Sequence, residues 1–167
     1  MPDKKTVEKA KRDKRDGKSP STQAGEFVRA EIDKIRHGEH GARSAKQAVA
    51  IGLSEARRAG VDLPPPRRGT VKARTRKSAR YAYETGQGKR KAKSPSRRRS
   101  RAALKALKRE PRRAVSHRAL SRQARGAAKR RSAAARSSAA QKAARTKGGS
   151  GRAAASRKAA RTRRRRA

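Results

Sequence analysis

Apolar residues recur at helical spacing in only one part of this chain. Ala24, Val28, Ile32 and Ile35 form a stripe that predicts a helix from a cap at Ser21 or Thr22 to about His37, where Gly38 supplies the stop. Phe27, the one phenylalanine, flanks that stripe, and Glu31 falls inside it, a polar interruption that needs a neighbouring Arg or solvent. After the loop GEHGAR, the passage SAKQAVAIGLSEARRAG (44–60) predicts a second helix. Ser44 and Gln47 read as a capping box, and Gly60 followed by Val61 reads as a left-handed C-terminal cap. Ala45, Ala48, Val49, Gly52, Ala56 and Ala59 share one side, so a partner helix can approach closely at Gly52. LPPP (63–66) cannot continue a helix and closes the pair as a helical hairpin.

Elsewhere the apolar pattern fades. Residues 2–16 suit a helix with Glu8 and Arg12 at i, i+4, but Val7 is their one sizeable apolar side chain and nothing in the sequence pins them down. GKSPS (17–21) reads as a turn. Beyond Pro66 the alphabet narrows to Ala, Arg, Lys, Ser and Gly, with KAARTK (142–147) echoed by KAARTR (158–163). Ala, Arg and Lys favour helix while like charges at i, i+3 and i+4 oppose it. The expectation is a disordered stretch that becomes helical on binding, first over 101–109 and 116–147, with breaks at Pro111, Gly126 and the Gly148, Gly149, Gly151 cluster.

The fold class expected is thus an all-α head, a helical hairpin, plus a long intrinsically disordered Lys/Arg/Ala-rich tail. It divides as a charged arm (1–20), the hairpin domain (21–66), a basic linker (67–100) and a low-complexity basic tail (101–167). The hairpin alone buries too little apolar surface to offset its ordering entropy. It therefore calls for self-association or for docking of a later segment, with RYAY (80–83) the candidate because it carries both tyrosines.

Charge changes the picture most. The 167 residues hold 53 Lys and Arg against 12 Asp and Glu, a net of +41, with mean hydropathy −1.25. Residues 1–66 carry 15 basic and 10 acidic side chains, and residues 67–167 carry 38 basic and 2 acidic. A surface of almost one sign calls for a polyanion. The cations taken as the nucleic-acid contacts are Arg97, Arg98, Arg99, Arg101, Lys105, Lys108 and Arg109, followed by Arg112 and Arg113, then Lys129, Arg130 and Arg131, and finally Arg163, Arg164, Arg165 and Arg166. KSPSRRRS (93–100) reads as an S-P-x-basic turn that lays Arg97–Arg99 along a narrow minor groove, with a plain linker as the equal alternative. Arg57 and Arg58, with Arg43 and Lys46, are a further candidate phosphate-contacting edge.

Other chemistries find little support. There is no cysteine, so disulfides and thiolate zinc sites are excluded. His37 and His40 in HGEHG lack a third ligand, and a histidine at a helix C-terminus suits the dipole instead. TGQGKRK (85–91) has the wrong glycine spacing for a phosphate loop, and no Ser, His and acid sit together as a triad. No enzyme, cofactor, metal, small-molecule substrate or membrane association is expected. The N-terminus lacks the apolar core of a secretory signal.

Beyond Pro66 the composition resembles the C-terminal domain of linker histones and the histone-like basic proteins of bacteria, which condense DNA. The head, through S-x-K-Q-A-x-A-I-G-L-S-E-A-R-R-A-G at 44–60, resembles a group of small bacterial proteins of unknown function, often labelled DNA-binding or plasmid-stabilisation proteins. The resemblance implies sequence-independent DNA binding and condensation, in the cytoplasm on the nucleoid, with plasmid maintenance a possible setting. It supplies no catalytic residues. An RNA- or ribosome-associated protein is the nearest alternative, since phosphate contacts barely distinguish the polymers. A protein adaptor localised by its basic half is the next.

Overall fold

A computed structural model describes residues 3–94 and 96–164, without the side chains of residues 146 and 147. Among the described residues all regular structure is helical: α1 (Lys4–Arg15), α2 (Pro20–His37), α3 (Ala45–Arg58), α4 (Ala73–Gly86), α5 (Arg97–Lys108), a 3₁₀ turn (Arg112–Val115), α6 (His117–Lys129) and α7 (Ala133–Arg164). The chain forms two compact units, Met1–Gln123 and Ala124–Ala167, with α6 running across the boundary.

The hairpin of α2 and α3 is the centre of the first unit. α2 starts at Pro20 rather than at a Ser21 or Thr22 cap, because proline is preorganised for the first helical position and Ser19 takes the cap position. It ends as expected on Gly38, at φ 86°, with the Glu39 amide donating to Lys34 O at 3.1 Å. At α3, Ser44 Oγ accepts from the Gln47 amide at 3.2 Å, while the Gln47 side chain reaches one residue further back, accepting from the Arg43 amide at 2.9 Å. Gly52 is where the helices touch: a Cβ there would lie 2.7 Å from Val28 Cα. That contact is the close approach its small-residue face predicts.

Two small cores result. One gathers Ala10, Ala24, Phe27, Ala56 and Val61, with Val7, Leu53, Ala59 and Leu63 packed around it. The other gathers Ile35, Ala42, Ala48 and Val115, with Ile32 and Ala114 alongside. The first holds α1, which the sequence leaves unattached. Thr6 and Ala10 are buried, so α1 docks through small side chains that a search for bulky apolar residues passes over. Asp13 then receives Lys18 Nζ at 2.6 Å, and Gln23 Nε2 donates to Lys18 O at 2.8 Å, joining α1 to α2 across the turn.

The segment LPPP is held by Arg57, whose buried guanidinium donates to Leu63 O at 3.1 Å, Pro64 O at 3.3 Å and Leu53 O at 3.4 Å. Burial lowers the Arg57 pKa, and three carbonyl acceptors offset the desolvation. α4 lies against α3, burying Ala79 and Ala82. Tyr83 Oη donates to Asp62 Oδ1 at 2.7 Å, and a Cβ on Gly86 would overlap the carbonyl oxygen of Arg57. Docking of the RYAY segment is thus present within the chain.

The expectation of a long disordered tail is overturned, because the described residues beyond Pro66 form four α-helices and a 3₁₀ turn. Three physical causes favour helix here. Ala, Arg and Lys have high intrinsic propensity. Serines cap the helices: Ser96, Ser116 and Ser132 each accept, through Oγ, from the backbone amide three residues on. Finally, Ala79, Ala82 and Val115 are buried in the first unit, so part of the basic half is tied down by packing. Pro111 does break the helices, but Gly126 lies inside α6, and Gly148 interrupts α7 with φ 64°, between two helical stretches. In the second unit the described residues of α7 are exposed, apart from the half-buried Ala144 and Gly151.

Candidate nucleic-acid interface

α5 carries the densest group of the proposed contact residues. It begins at Ser96, whose Oγ accepts from the Arg99 amide at 3.4 Å, so Arg97–Arg99 form a first helical turn. Pro95 lies outside the described residues. Three arginines at the positive end of a helix oppose its dipole, an unfavourable arrangement that a bound anion relieves. At 100° per residue, Arg97, Arg98, Arg101, Lys105, Lys108 and the capping Arg109 fall within about 120° of one another, while Arg99 faces away. Leu104 and Leu107 lie outside that arc, with Leu104 still 46% exposed.

No residue of α5 is buried. What positions it is its C-terminal end. The Gly41 amide donates to Leu107 O at 2.9 Å and the Ala42 amide to Pro111 O at 3.4 Å. A Cβ at Gly41 would overlap the Glu110 carbonyl, so glycine is needed for this approach. Arg43 Nε meets Glu110 Oε1 at 3.4 Å, Arg36 Nη2 donates to Val115 O at 3.4 Å, and Val115 fills the second core. The α2–α3 loop therefore clamps residues 107–115 and leaves the cationic face of α5 free. Arg97, Arg98, Arg99, Arg101, Lys105, Lys108, Arg109, Arg112 and Arg113 are all exposed, and none makes an ion pair among the described residues.

The remaining candidates are dispersed. Arg112 lies beside Gly38 at the C-terminus of α2, where the dipole favours a cation. Lys129, Arg130 and Arg131 close α6 and lead into α7, and Arg163 and Arg164 occupy the last turn of α7, all of them exposed. Arg165 and Arg166 lie outside the described residues. The edge expected from Arg43, Lys46, Arg57 and Arg58 does not form as drawn, because Arg57 is buried on the LPPP carbonyls and Arg43 pairs with Glu110.

One basic cluster was not singled out from sequence. Lys77, Arg80, Arg90 and Lys93 surround Tyr81 and Glu84 around a cavity of about 470 Å³. Arg80 and Arg90 reach Glu84 at 2.6 and 3.5 Å, and the Arg80 hydrogen bond holds that carboxyl below its ordinary range. The Arg90 guanidinium stacks 4.9 Å from the Tyr81 ring centroid. The only sequence signal for this cluster is the i, i+4 spacing of Arg80 and Glu84.

The histidines do not converge. His37 Nδ1 meets Asp33 O at 2.7 Å, His40 Nε2 faces Glu31, and no group of three metal-ligating side chains is found among the described residues. No described helix is long and apolar enough to cross a membrane.

Residues 3–68 match the family model of a family of unknown function (DUF6496), a stretch that spans α1, α2, α3 and the LPPP segment. No curated protein and no solved structure matches the chain.

Proposed function

We propose that this chain is a non-enzymatic, largely sequence-independent DNA-binding and DNA-condensing protein that acts by neutralising phosphates, in the manner of a histone-like, nucleoid-associated protein. The observation that carries this reading is α5, a helix with no buried residue whose exposed cations gather on one face without ion-pair partners among the described residues. Such a face has no use for a protein core, and its arginines at the helix start gain from an anion placed there.

The mechanism is counterion release. Each phosphate neutralised on duplex DNA lowers the slope of log K against log salt by about 0.9, so binding through many cations weakens steeply as salt rises. Since alanines, leucines and a serine separate the cations of α5 and no Asn, Gln, Asp or Glu stands among them to read a base edge, the contacts go mainly to phosphate and the binding is largely tolerant of sequence. Two cationic units on one chain contact two stretches of duplex, which is what condensation requires.

The deciding experiment titrates the purified protein against duplex DNA and structured RNA at equal phosphate concentration over a range of salt. Tighter binding to duplex DNA, insensitive to sequence and steeply salt-dependent, supports the proposal. Preference for structured RNA replaces it with the RNA-associated reading, and failure to retard either polymer in dilute buffer ends both.

A further inference from the structure

Parts of α3 and α4, with the segment that joins them, line a groove of about 580 Å³. Its floor is apolar: Val49 and Leu53 from α3, Ala79 from α4, and Pro66 and Val71 from the segment that connects them. Val49, Leu53 and Val71 are only half-buried, although the chain is poor in apolar side chains and uses most of them in its two cores. At the rim stand Lys46, Arg58 and Arg74, exposed and without ion-pair partners among the described residues, and no lining side chain is acidic.

We infer that this groove is a docking site for an acidic amphipathic helix of another protein, with its apolar stripe on the floor and its carboxylates on Lys46, Arg58 and Arg74. An apolar floor gives phosphate nothing, and no aromatic ring lines the groove to stack a base, so nucleic acid fits it poorly. A second copy of this chain also fits poorly. With 12 acidic residues against 53 basic, it has few carboxylates to offer, and the acidic residues of α2 flank Phe27 and Ile35, whose side chains are already in the cores. A helix bearing carboxylates beside leucine-like residues at i, i+3, i+4 and i+7 matches both the floor and the rim. α3, 14 residues long, offers about 20 Å of groove, enough for three to four turns. The inference does not rest on the DNA-binding reading, because α5 contributes no residue to the groove.

The test uses the full chain and two fluorescein-labelled peptides of about 18 residues. One has Leu at i, i+3, i+4 and i+7 with Glu between them, and the other replaces each Leu by Ser at the same charge. Anisotropy is read in about 0.3 M salt, where non-specific attraction to the cationic surface is screened. The Leu peptide is expected to bind at least about tenfold more tightly than the Ser peptide. Ala50→Glu and, separately, Ser78→Glu, both at exposed positions lining the groove, should each remove that preference while changing duplex DNA affinity by less than about twofold. Equal binding of the two peptides overturns the inference, as does an undiminished preference in Ser78→Glu. Displacement of the Leu peptide by DNA with parallel loss of DNA affinity in both variants assigns the groove to nucleic acid instead. Concentration-dependent dimerisation abolished by both variants assigns it to a second copy.

Discussion

Glu31 Oε1 stands 3.6 Å from Nε2 of His40, a half-buried residue of the loop that clamps α5. Glu31 is 1% exposed and its Oε1 has no hydrogen bond. His40 Nδ1 lies 3.0 Å from Gly41 O, which turns Nε2 towards the carboxylate. Burial raises the Glu31 pKa, which His40 and Lys34 oppose, while Glu55 and Glu39 reinforce it.

A raised carboxyl pKa means the folded chain holds a proton that the unfolded chain gives up between the ordinary carboxylate range and the raised value. The Glu31 contribution to stability is therefore present at acid pH and lost as pH rises through its folded pKa. Glu31→Gln should show a weaker dependence of stability on pH and gain on the wild type by roughly 1 kcal/mol toward the alkaline end, where ionising the wild-type carboxyl costs stability. Thermal melts of both proteins from pH 5 to 8 check this, and parallel curves would contradict it.

Glycines within neighbouring helices should respond with opposite signs. Gly52→Ala puts a Cβ 2.7 Å from Val28 Cα and should destabilise the first unit by about 1–3 kcal/mol. Gly25, exposed in α2 with nothing within 4 Å of an added Cβ, should instead give about 0.5–1 kcal/mol of stabilisation on replacement by Ala. Denaturant midpoints measure both, and the same sign for the two would refute the packing described.

Val115→Ala tests whether the basic half completes the core. The side chain is 1% exposed among Ile35, Ala42 and Ala48, so its truncation should cost about 1–3 kcal/mol. Chains ending before residue 112 should lose comparable stability. A melting temperature unmoved by either change would mean that the 3₁₀ turn does not dock in solution.

Replacing Arg97, Arg98, Arg101, Lys105, Lys108 and Arg109 of α5 by Gln should reduce the salt slope of duplex binding by up to about 5. Affinity should fall equally for unrelated DNA sequences, since phosphate contacts carry no sequence information. Arg99→Gln, on the opposite side of α5, should change the slope by well under 1. Filter binding across salt concentrations resolves the two, and equal effects would remove α5 as an oriented face.

The sequence alone determined the α2–α3 hairpin, with its stop at Gly38, its capping serine at Ser44, its left-handed Gly60 and its contact at Gly52. Each depends on local backbone geometry or on a 3.6-residue period, and such information is carried by neighbours along the chain. It also determined the imbalance of charge, which no fold can alter. The tertiary structure alone decided the fate of everything that packs through small or distant groups: α1 held by Thr6 and Ala10, Arg57 turned inward onto the LPPP carbonyls, and Val115 brought back to Ile35. It also decided that the helices beyond Pro66 form in the free chain, because serine caps and a few buried contacts outweigh a repulsion that solvent and counterions screen. Those outcomes depend on which surfaces meet, and an alanine or an arginine does not announce along the chain whether it will face water or another helix.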